Sequence, residues 1–143
     1  MEPEKVADLR VKYLEMLQGV VVRMASQCAT TKNFCVTLTT ASCALALTLQ
    51  KPLVALLGVM PITICSLLDA QFLKLERQFR GLFDRVRVED WNTLPNFEIN
   101  SKASYVSYWS ALSSWSIVAF YLPLLVTLLG GVLIAGYLYG QSI

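Results

Sequence analysis

Residues 117–140 read IVAFYLPLLVTLLGGVLIAGYLYG and decide the fold class. The segment contains no charged side chain, and Lys102 is the only charged residue between Ser101 and Ile143. At about 1.5 Å per residue, roughly 20 apolar residues in a helix span the ~30 Å hydrocarbon core of a bilayer. We therefore expect a membrane protein whose last helix crosses the bilayer.

Two shorter uncharged segments, residues 33–50 and 52–68, are separated only by Lys51. Because Lys51 precedes Pro52, this point is a turn signal, and the two segments predict a helical hairpin whose arms each cross the membrane. The first arm is the less hydrophobic of the two. It is rich in hydroxylated side chains that suit contact with other helices better than contact with lipid, namely Thr37, Thr39, Thr40, Ser42 and Thr48.

Charge is unevenly distributed along the chain. The 143 residues have a formal net charge of only +2, which gives no argument for a nucleic-acid partner. Five of the 12 basic residues precede residue 33, and six lie between residues 74 and 102. Since basic residues favour the cytoplasmic side of a membrane, we expect the N-terminus and the middle segment in the cytoplasm and the C-terminus outside. We expect no cleavable signal peptide, because the first ten residues hold five charges.

The N-terminal segment, residues 1–32, has apolar residues at steps of three and four, which predicts an amphipathic helix. The stripe consists of Val6, Leu9, Tyr13, Met16, Leu17, Val20, Val21 and Met24. It can lie on the membrane surface, against the other cytoplasmic helix, or against copies of itself around an axis. The last two placements are favoured, since an interfacial helix usually carries more lysine beside its apolar face.

The second arm continues into a charged stretch, residues 68–87, with the sequence LDAQFLKLERQFRGLFDRVR. Its apolar stripe predicts that the crossing and a cytoplasmic helix form one rod, and it consists of Leu68, Phe72, Leu75, Phe79, Leu82 and Val86. Beside it runs a charged stripe in which Glu76 with Arg80, and Arg80 with Asp84, are i,i+4 pairs worth about 0.2–0.5 kcal/mol each when exposed. For most of these charges a solvated helix face is the simpler interpretation.

Asp69 differs from the other charges because it lies at the inner end of the predicted crossing. Ionisable residues at that depth usually face a partner or a water path. We expect Asp69 to pair with Arg77 or Arg80, and we favour a pair across a subunit boundary. For Arg77, eight residues further on, the pair requires a neighbouring subunit.

Cations and aromatic rings follow Asp69 and offer the chemistry that binds a nucleotide or a single-stranded nucleic acid. The candidate ligand-binding residues are Arg77, Arg80, Arg85, Arg87, Phe83 and Trp91. The structural alternative is that aromatic residues at helical spacing form core, and that the tryptophans and tyrosines of residues 91–115 form a belt at the headgroup level. Residues 88–103 break the helical periodicity and predict a cytoplasmic loop.

Catalytic and metal-binding signals are absent from the sequence. The four cysteines contain no C-x-x-C spacing and there is no histidine, so we expect them to serve as small buried hydrophobes. No phosphate-binding loop, nucleophile elbow or H-E-x-x-H motif occurs. We expect no enzyme activity, no catalytic residue, no cofactor and no metal site.

The order of these elements resembles a family of small bacterial membrane proteins of antiphage defence islands. The chain is similar to the SLATT-type effectors and to the channel effector of the Hailong system, over roughly residues 6–87 and a terminal crossing. The residues that carry the resemblance are Arg23-Met24-Ala25-Ser26, Leu68-Asp69 and the run ERQFRGLFDRVR at residues 76–87. The resemblance implies a pore-forming or membrane-perturbing effector of the bacterial inner membrane that stays closed until infection and is gated by a nucleotide or oligonucleotide signal, as in abortive infection.

The sequence thus predicts an all-α membrane protein with three transmembrane helices, an amphipathic N-terminal cytoplasmic helix and a helical cytoplasmic extension of the second crossing. The predicted segments are the cytoplasmic helix 1–32, the transmembrane hairpin 33–72, the charged helix and loop 73–104, and the pre-membrane segment with the third transmembrane helix 105–143.

Two functions stay open for such a chain. The first is a gated ion channel or pore, which requires a homo-oligomer, with a tetramer favoured, because three crossings cannot enclose a pore alone. The alternative is a non-conducting membrane scaffold that recruits a cytoplasmic signalling enzyme. A transporter is disfavoured, since the chain lacks repeated halves and midplane charges.

Overall fold

The computed structural model describes residues 3–100 and 104–140. Within these ranges the chain is helical and contains no strand, which confirms the predicted all-α fold. The elements are α1 (Pro3–Thr48), a 3₁₀ helix (Pro52–Gly58), α2 (Val59–Val88), α3 (Tyr108–Leu112) and α4 (Trp115–Gly140). Lys102, which the charge argument counts with the middle segment, and both chain ends lie outside the described residues.

Helix α1 is one unbroken helix of 46 residues. The sequence predicts a cytoplasmic helix up to residue 32 and a crossing from residue 33, yet the helix does not break there. Residues 20–49 contain neither glycine nor proline, the two residues that most disfavour a helix interior. The loss of charge after Lys32 therefore changes the surface of the helix without ending it.

The chain reverses at residues 49–51. The N–H of Lys51 donates to the carbonyl oxygen of Ala46 at 3.1 Å, and the N–H of Gln50 donates to that of Leu47 at 3.2 Å, which are the two bonds of a Schellman motif. Gln50 has a φ of 54°, a left-handed conformation in which glycine is usual. Pro52 then begins the 3₁₀ helix. At this position a backbone N–H would have no acceptor within the helix, so proline loses no hydrogen bond.

Helix α2 runs from the apolar segment into the charged one without interruption, as expected for a single rod. It lies antiparallel to α1 and ends at Val88, after which residues 89–100 are not helical. The predicted loop at residues 88–103 thus begins one residue later than expected, because Val88 still belongs to α2, and residues 89–100 are non-helical as expected.

The core consists of two clusters along the length of the bundle. The larger joins α1, the 3₁₀ helix, α2 and α4, and its buried members are Cys35, Ala46, Ala55, Ile62, Cys65, Ala70, Ile117, Tyr121 and Leu128. In the smaller cluster, Tyr13 and Leu17 of α1 pack against Leu82 and Val86 of α2. The apolar residues near the start of α1 therefore contact the charged half of α2, one of the three placements expected for them.

Two helical stretches of the described chain are long and apolar enough to cross a membrane, Pro52–Val88 and Trp115–Tyr137. Only 33% and 17% of their most apolar windows are buried within the chain, so most of this apolar surface is exposed. Helix α1 is not one of these stretches, because its C-terminal third carries threonines and serines among its apolar residues.

The two ends of the bundle are formed by different parts of the chain. At one end the start of α1 lies beside the end of α2, where Arg10 contacts Val86. At the other end the turn lies beside the second half of α4, and the two enclose an apolar cavity of about 170 Å³ between Cys43, Pro52 and Gly131. The N-terminal end of α1 and the C-terminal half of α4 therefore lie at opposite ends of the molecule.

Candidate functional site

Asp69 is the most deeply buried acidic residue of α2, with 1% of its surface exposed. The ammonium nitrogen of Lys32 lies 3.5 Å from its Oδ2, and Oδ2 accepts no hydrogen bond from the residues that the structure describes. A pair across a subunit boundary stays a prediction, but within the described chain Asp69 pairs with Lys32 and not with the predicted Arg77 or Arg80. The reason is the hairpin, which brings α1 against the face of α2 that carries Asp69.

Lys32 connects α1 to two other helices. Besides the contact with Asp69 of α2, its Nζ donates a hydrogen bond to Ser116 Oγ of α4 at 2.9 Å and lies 5.6 Å from the centre of the Phe120 ring. The Lys32 side chain is 22% exposed and that of Asp69 is 2% exposed, so the pair is largely shielded from water. We refer to the contacts of Lys32 with Asp69, Ser116 and Phe120 as the three-helix junction.

Cys28 lies one turn before Lys32 and contacts the same residue of α2. Its Sγ is 4.0 Å from the backbone carbonyl oxygen of Asp69. Burial, followed by the hydrogen bond and the negative charge of Asp69, raises the pKa of the Cys28 thiol to about 12. The thiol is therefore protonated and weakly nucleophilic at neutral pH.

Arg77 points toward the segment that precedes α4. Its guanidinium donates to the carbonyl oxygen of Ser110 at 3.2 Å and to Ser114 Oγ at 2.9 Å. These bonds connect α2 to α3 and to the residue before α4. Arg77 thus links α2 to the segment before α4, and the ligand-binding role expected of it stays a prediction.

Arg80 forms one of its two predicted ion pairs. Its Nη2 lies 2.7 Å from Glu76 Oε1, and the Glu76 residue is only 9% exposed. No ion pair joins Arg80 to Asp84 within the described parts of the chain, so the prediction for that pair is wrong. The Arg80 guanidinium extends toward the N-terminal end of α2, because Glu76 is less hydrated than the exposed Asp84.

Two of the candidate ligand residues line one groove between α1 and α2. The groove has a volume of about 410 Å³ and is lined by Arg80, Phe83 and Asp84 of α2 and by Gln18, Val21 and Val22 of α1. It combines an aromatic ring, a cation, a carboxylate and an amide. Such a surface can stack a planar ring and form hydrogen bonds to its edge.

The remaining candidate ligand residues lie elsewhere. Arg85 is about 140° around α2 from Arg80, since each residue turns the helix by about 100°, and it lines a separate polar pocket with Tyr13 and Glu98. Trp91 donates its indole N–H to the carbonyl oxygen of the exposed Arg87 at 3.3 Å and so caps the end of α2. The six predicted residues therefore do not converge on one site within a single chain.

Arg10 was counted only as a positive charge in the sequence, but it is a buried structural residue with no exposed surface. Its guanidinium donates to the carbonyl oxygen of Val86 at 3.1 Å and to Thr93 at 3.0 Å (carbonyl oxygen) and 3.2 Å (Oγ1). The sequence contains a signal for this burial, because Arg10 falls between Val6 and Tyr13 at the helical steps of the apolar stripe. A basic residue at an apolar stripe position indicates a buried partner.

Tyr13 fixes the same loop one turn later. Its hydroxyl donates to the carbonyl oxygen of Glu98 at 2.7 Å, and its ring lies 5.3 Å from that of Phe97. Burial, with the charges of Glu89 and Glu98, raises the pKa of the Tyr13 hydroxyl. Together with Arg10, this contact holds residues 89–100 against the start of α1.

The second half of α1 carries an exposed polar stripe. At about 100° per residue, steps of three and four, with exposed Ala44 between the last two polar residues, keep these side chains within about 40° of one line along the helix. They are Ser26, Thr30, Asn33, Thr37, Thr40 and Thr48, all exposed, and we refer to them as the polar face of α1. The buried residues Cys35, Thr39 and Ala46 lie on the opposite side of the helix.

Most hydroxyls of the polar face are satisfied within the helix. Thr30, Thr37 and Thr48 each donate to the carbonyl oxygen four residues earlier at 2.9–3.0 Å. Among the described residues, the side chains of Ser26, Asn33 and Thr40 have no hydrogen-bond partner. The Asn33 amide in particular needs water or another molecule.

Comparison with protein-family models, with curated proteins and with solved structures finds no match to this chain. The geometry of the chain itself is therefore the guide to its function. That geometry offers an exposed polar face on α1, a buried ion pair joining three helices, and a groove with an arginine and a phenylalanine at the charged end of the bundle.

Proposed function

We propose that this chain is a membrane effector that assembles into a homo-oligomer and forms a gated ion channel or pore. The observation that carries the proposal is the polar face of α1, on a helix that packs along one of the two stretches long and apolar enough to cross a membrane and is joined to the other through Lys32. A polar face in that position needs shelter from lipid. A shared axis lined by water provides it.

The same packing supports a third crossing by the second half of α1. Cys35 and Ala46 belong to one core cluster with Ile62 of α2 and with Tyr121 and Leu128 of α4. When α2 and α4 cross the bilayer, these contacts hold residues 33–48 at the same depth. An unpaired amide such as that of Asn33 costs several kcal/mol in hydrocarbon, so it must face protein or water at that depth.

Exposed apolar residues on α4 complete the surface of such an assembly. Leu122, Val126, Leu133 and Ile134 are each at least 55% exposed, which suits contact with lipid chains. Since three helices cannot enclose a pore, the polar faces of several subunits must meet at one cyclic axis, and a tetramer is the assembly we favour.

The groove between α1 and α2 supports control by a nucleotide or oligonucleotide. Phe83 offers a stacking surface and Arg80 a cation, and both lie on the run of residues 76–87 that carries the resemblance to antiphage effectors. We propose that the signal binds here, on the cytoplasmic side of the bacterial inner membrane. The basic residues at the same end of the molecule support that orientation.

Exposed aromatic residues favour the alternative of a non-conducting scaffold. Tyr105, Trp109 and Trp115 are 92%, 74% and 83% exposed, near the end of the bundle that carries the charged groove. Such rings are enriched at protein interfaces, where a cytoplasmic signalling enzyme could dock, and equally at the headgroup level of a membrane.

Planar-bilayer recording of the purified chain distinguishes the two functions. We expect Asn33→Asp to raise the cation-to-anion permeability ratio and Asn33→Lys to lower it, each by about tenfold, because a ring of fixed charge enriches counter-ions at the axis. Leu45→Met, on the apolar flank of α1, is the matched control and should leave the ratio unchanged. Candidate nucleotides added on one side test the control of the current.

An absence of current from inserted protein, with and without nucleotide, would favour the scaffold. Currents whose selectivity ignores the sign of the charge at residue 33 would show that α1 does not line the conducting path.

A further inference from the structure

At the three-helix junction one side chain of α1 contacts both α2 and α4. Lys32 of α1 reaches Asp69 of α2 at 3.5 Å and Ser116 of α4 at 2.9 Å. Arg10 and Cys28 also join α1 to α2, through the carbonyl oxygens of Val86 and Asp69, but neither of these bonds reaches α4. The polar connection from α1 to α4 is made by Lys32.

The buried charge of Asp69 makes the three-helix junction sensitive to the loss of its ion-pair partner. Asp69 is buried, its Oδ2 accepts no hydrogen bond within the described part of the chain, and the charge that compensates it is the ammonium group of Lys32 at ion-pair distance. A buried ion pair with incomplete hydrogen bonding adds little to stability, whereas removal of one partner strands a charge. A contact of this kind is suited to select between two arrangements of the helices.

We propose that the three-helix junction is the latch that holds α1 against α2 and α4 in the closed state, and that its opening releases α1. The proposal rests on the channel function proposed above, since α1 carries the polar face that would line the conducting path. In the closed state Lys32 is bonded to both neighbours. In the open state Lys32 reaches water and α1 separates from Asp69.

The ligand groove lies on the same two helices as the latch. Its nearest residue on α1, Val22, is ten residues from Lys32, or about 15 Å along the helix. A planar ligand that enters between Val22 and Phe83 pushes α1 away from α2. Because α1 is unbroken between these points, that displacement reaches Lys32 without a hinge to absorb it.

Cys28 provides a native reporter of the latch. Its thiol lies 4.0 Å from the Asp69 carbonyl oxygen and is half-buried while α1 is packed on α2. A thiol in this position reacts slowly with a maleimide at pH 8, because the thiolate is the reactive form. Separation of α1 exposes it and accelerates the reaction.

The experiment measures maleimide labelling of Cys28 and ion flux in the same proteoliposomes, with Cys28→Ser as the background. In Lys32→Met and Asp69→Asn we expect labelling at least about tenfold faster than in the wild type, which corresponds to ~1.4 kcal/mol of lost preference for the closed state. The reversed pair Lys32→Asp with Asp69→Lys, or the conservative Lys32→Arg, should return labelling to near the wild-type rate.

Lys12→Met is the matched control. It breaks an ion pair on the same helix, 3.0 Å long but with both side chains 62% exposed, and should leave the labelling of Cys28 unchanged.

Labelling of Cys28 tests the latch, whereas ion flux tests the channel. Unchanged labelling in both single variants overturns the latch, whatever the flux. Fast labelling that neither the reversed pair nor Lys32→Arg slows also overturns it, because the pairing of charges is then irrelevant. Suppose that labelling is fast in the single variants, that the reversed pair or Lys32→Arg slows it again, and that no ion flux is seen. This result supports the latch and overturns the proposed channel.

Discussion

Arg10 is completely buried although it carries a permanent charge, and its hydrogen bonds explain how the chain tolerates it. It satisfies the carbonyl oxygen of Val86, in the last turn of α2, and that of Thr93 in the loop. Carbonyl groups at a helix end lack partners within the helix, so a basic side chain there is favoured by hydrogen bonding and by the helix dipole.

Arg10→Met should therefore destabilise the charged end of the bundle. Each carbonyl oxygen left buried and unpaired costs about 1–3 kcal/mol, so we expect a lower unfolding midpoint in detergent and faster proteolysis within residues 89–100. Arg23→Met, at an exposed position of the same helix, is the control and should change neither. An Arg10→Met protein as stable and as protease-resistant as the control would mean that the loop is held by other contacts.

Sequence alone identified Asp69 as a buried residue that needs a partner, but it did not identify Lys32. Spacing along one helix predicts i,i+4 contacts such as Glu76 with Arg80, whereas Lys32 is 37 residues earlier and meets Asp69 only through the register of the hairpin. The turn at Gln50 sets that register. A one-residue difference there would rotate α1 by about 100° and place another side chain beside Asp69.

Helix α1 shows the same limit of prediction from sequence, here for a whole helix. The sequence correctly predicted helices on both sides of residue 32, but a change in composition was taken as a boundary. Helices end where a breaker or a cap stops them, and here the first such signal is the turn before Pro52. The uninterrupted α2 was predicted because its apolar stripe continues through the charged segment.

Two glycines in helix interiors test how closely the elements pack. A Cβ at Gly19 of α1 meets nothing within 4 Å, whereas at Gly81 of α2 it lies 2.6 Å from Ser104 Oγ and 2.8 Å from Ser104 Cβ. Both Gly→Ala changes gain about 0.5–1 kcal/mol of helix propensity, so Gly19→Ala should raise the thermal midpoint. Gly81→Ala should lower it, because the segment at Ser104 must move.

Circular dichroism of the two variants in the same detergent measures this difference. Equal stabilisation by both would show that residue 104 does not rest on α2.

At the scale of the whole molecule, the arrangement of the helices gives a prediction for topology. The N-terminal end of α1 and the C-terminal half of α4 lie at opposite ends of the bundle. With the basic end in the cytoplasm, alkaline phosphatase fused to the C-terminus should be active, and a fluorescent protein that matures only in the cytoplasm should stay dark there.

A phosphatase fusion after residue 104, which omits α4, is the matched control and should be inactive. An inactive phosphatase at the C-terminus, with a bright fluorescent fusion, would mean that residues 33–68 do not cross twice.

The length of α1 has a mechanical consequence. At about 1.5 Å per residue, its 46 residues form a rod of about 69 Å, so a tilt of about 5° around the midpoint displaces each tip by about 3 Å. That distance is close to the diameter of a water molecule, twice the usual probe radius of about 1.4 Å. In the proposed channel, a displacement of this size at one end of α1 would be enough to admit a single file of water at the other end.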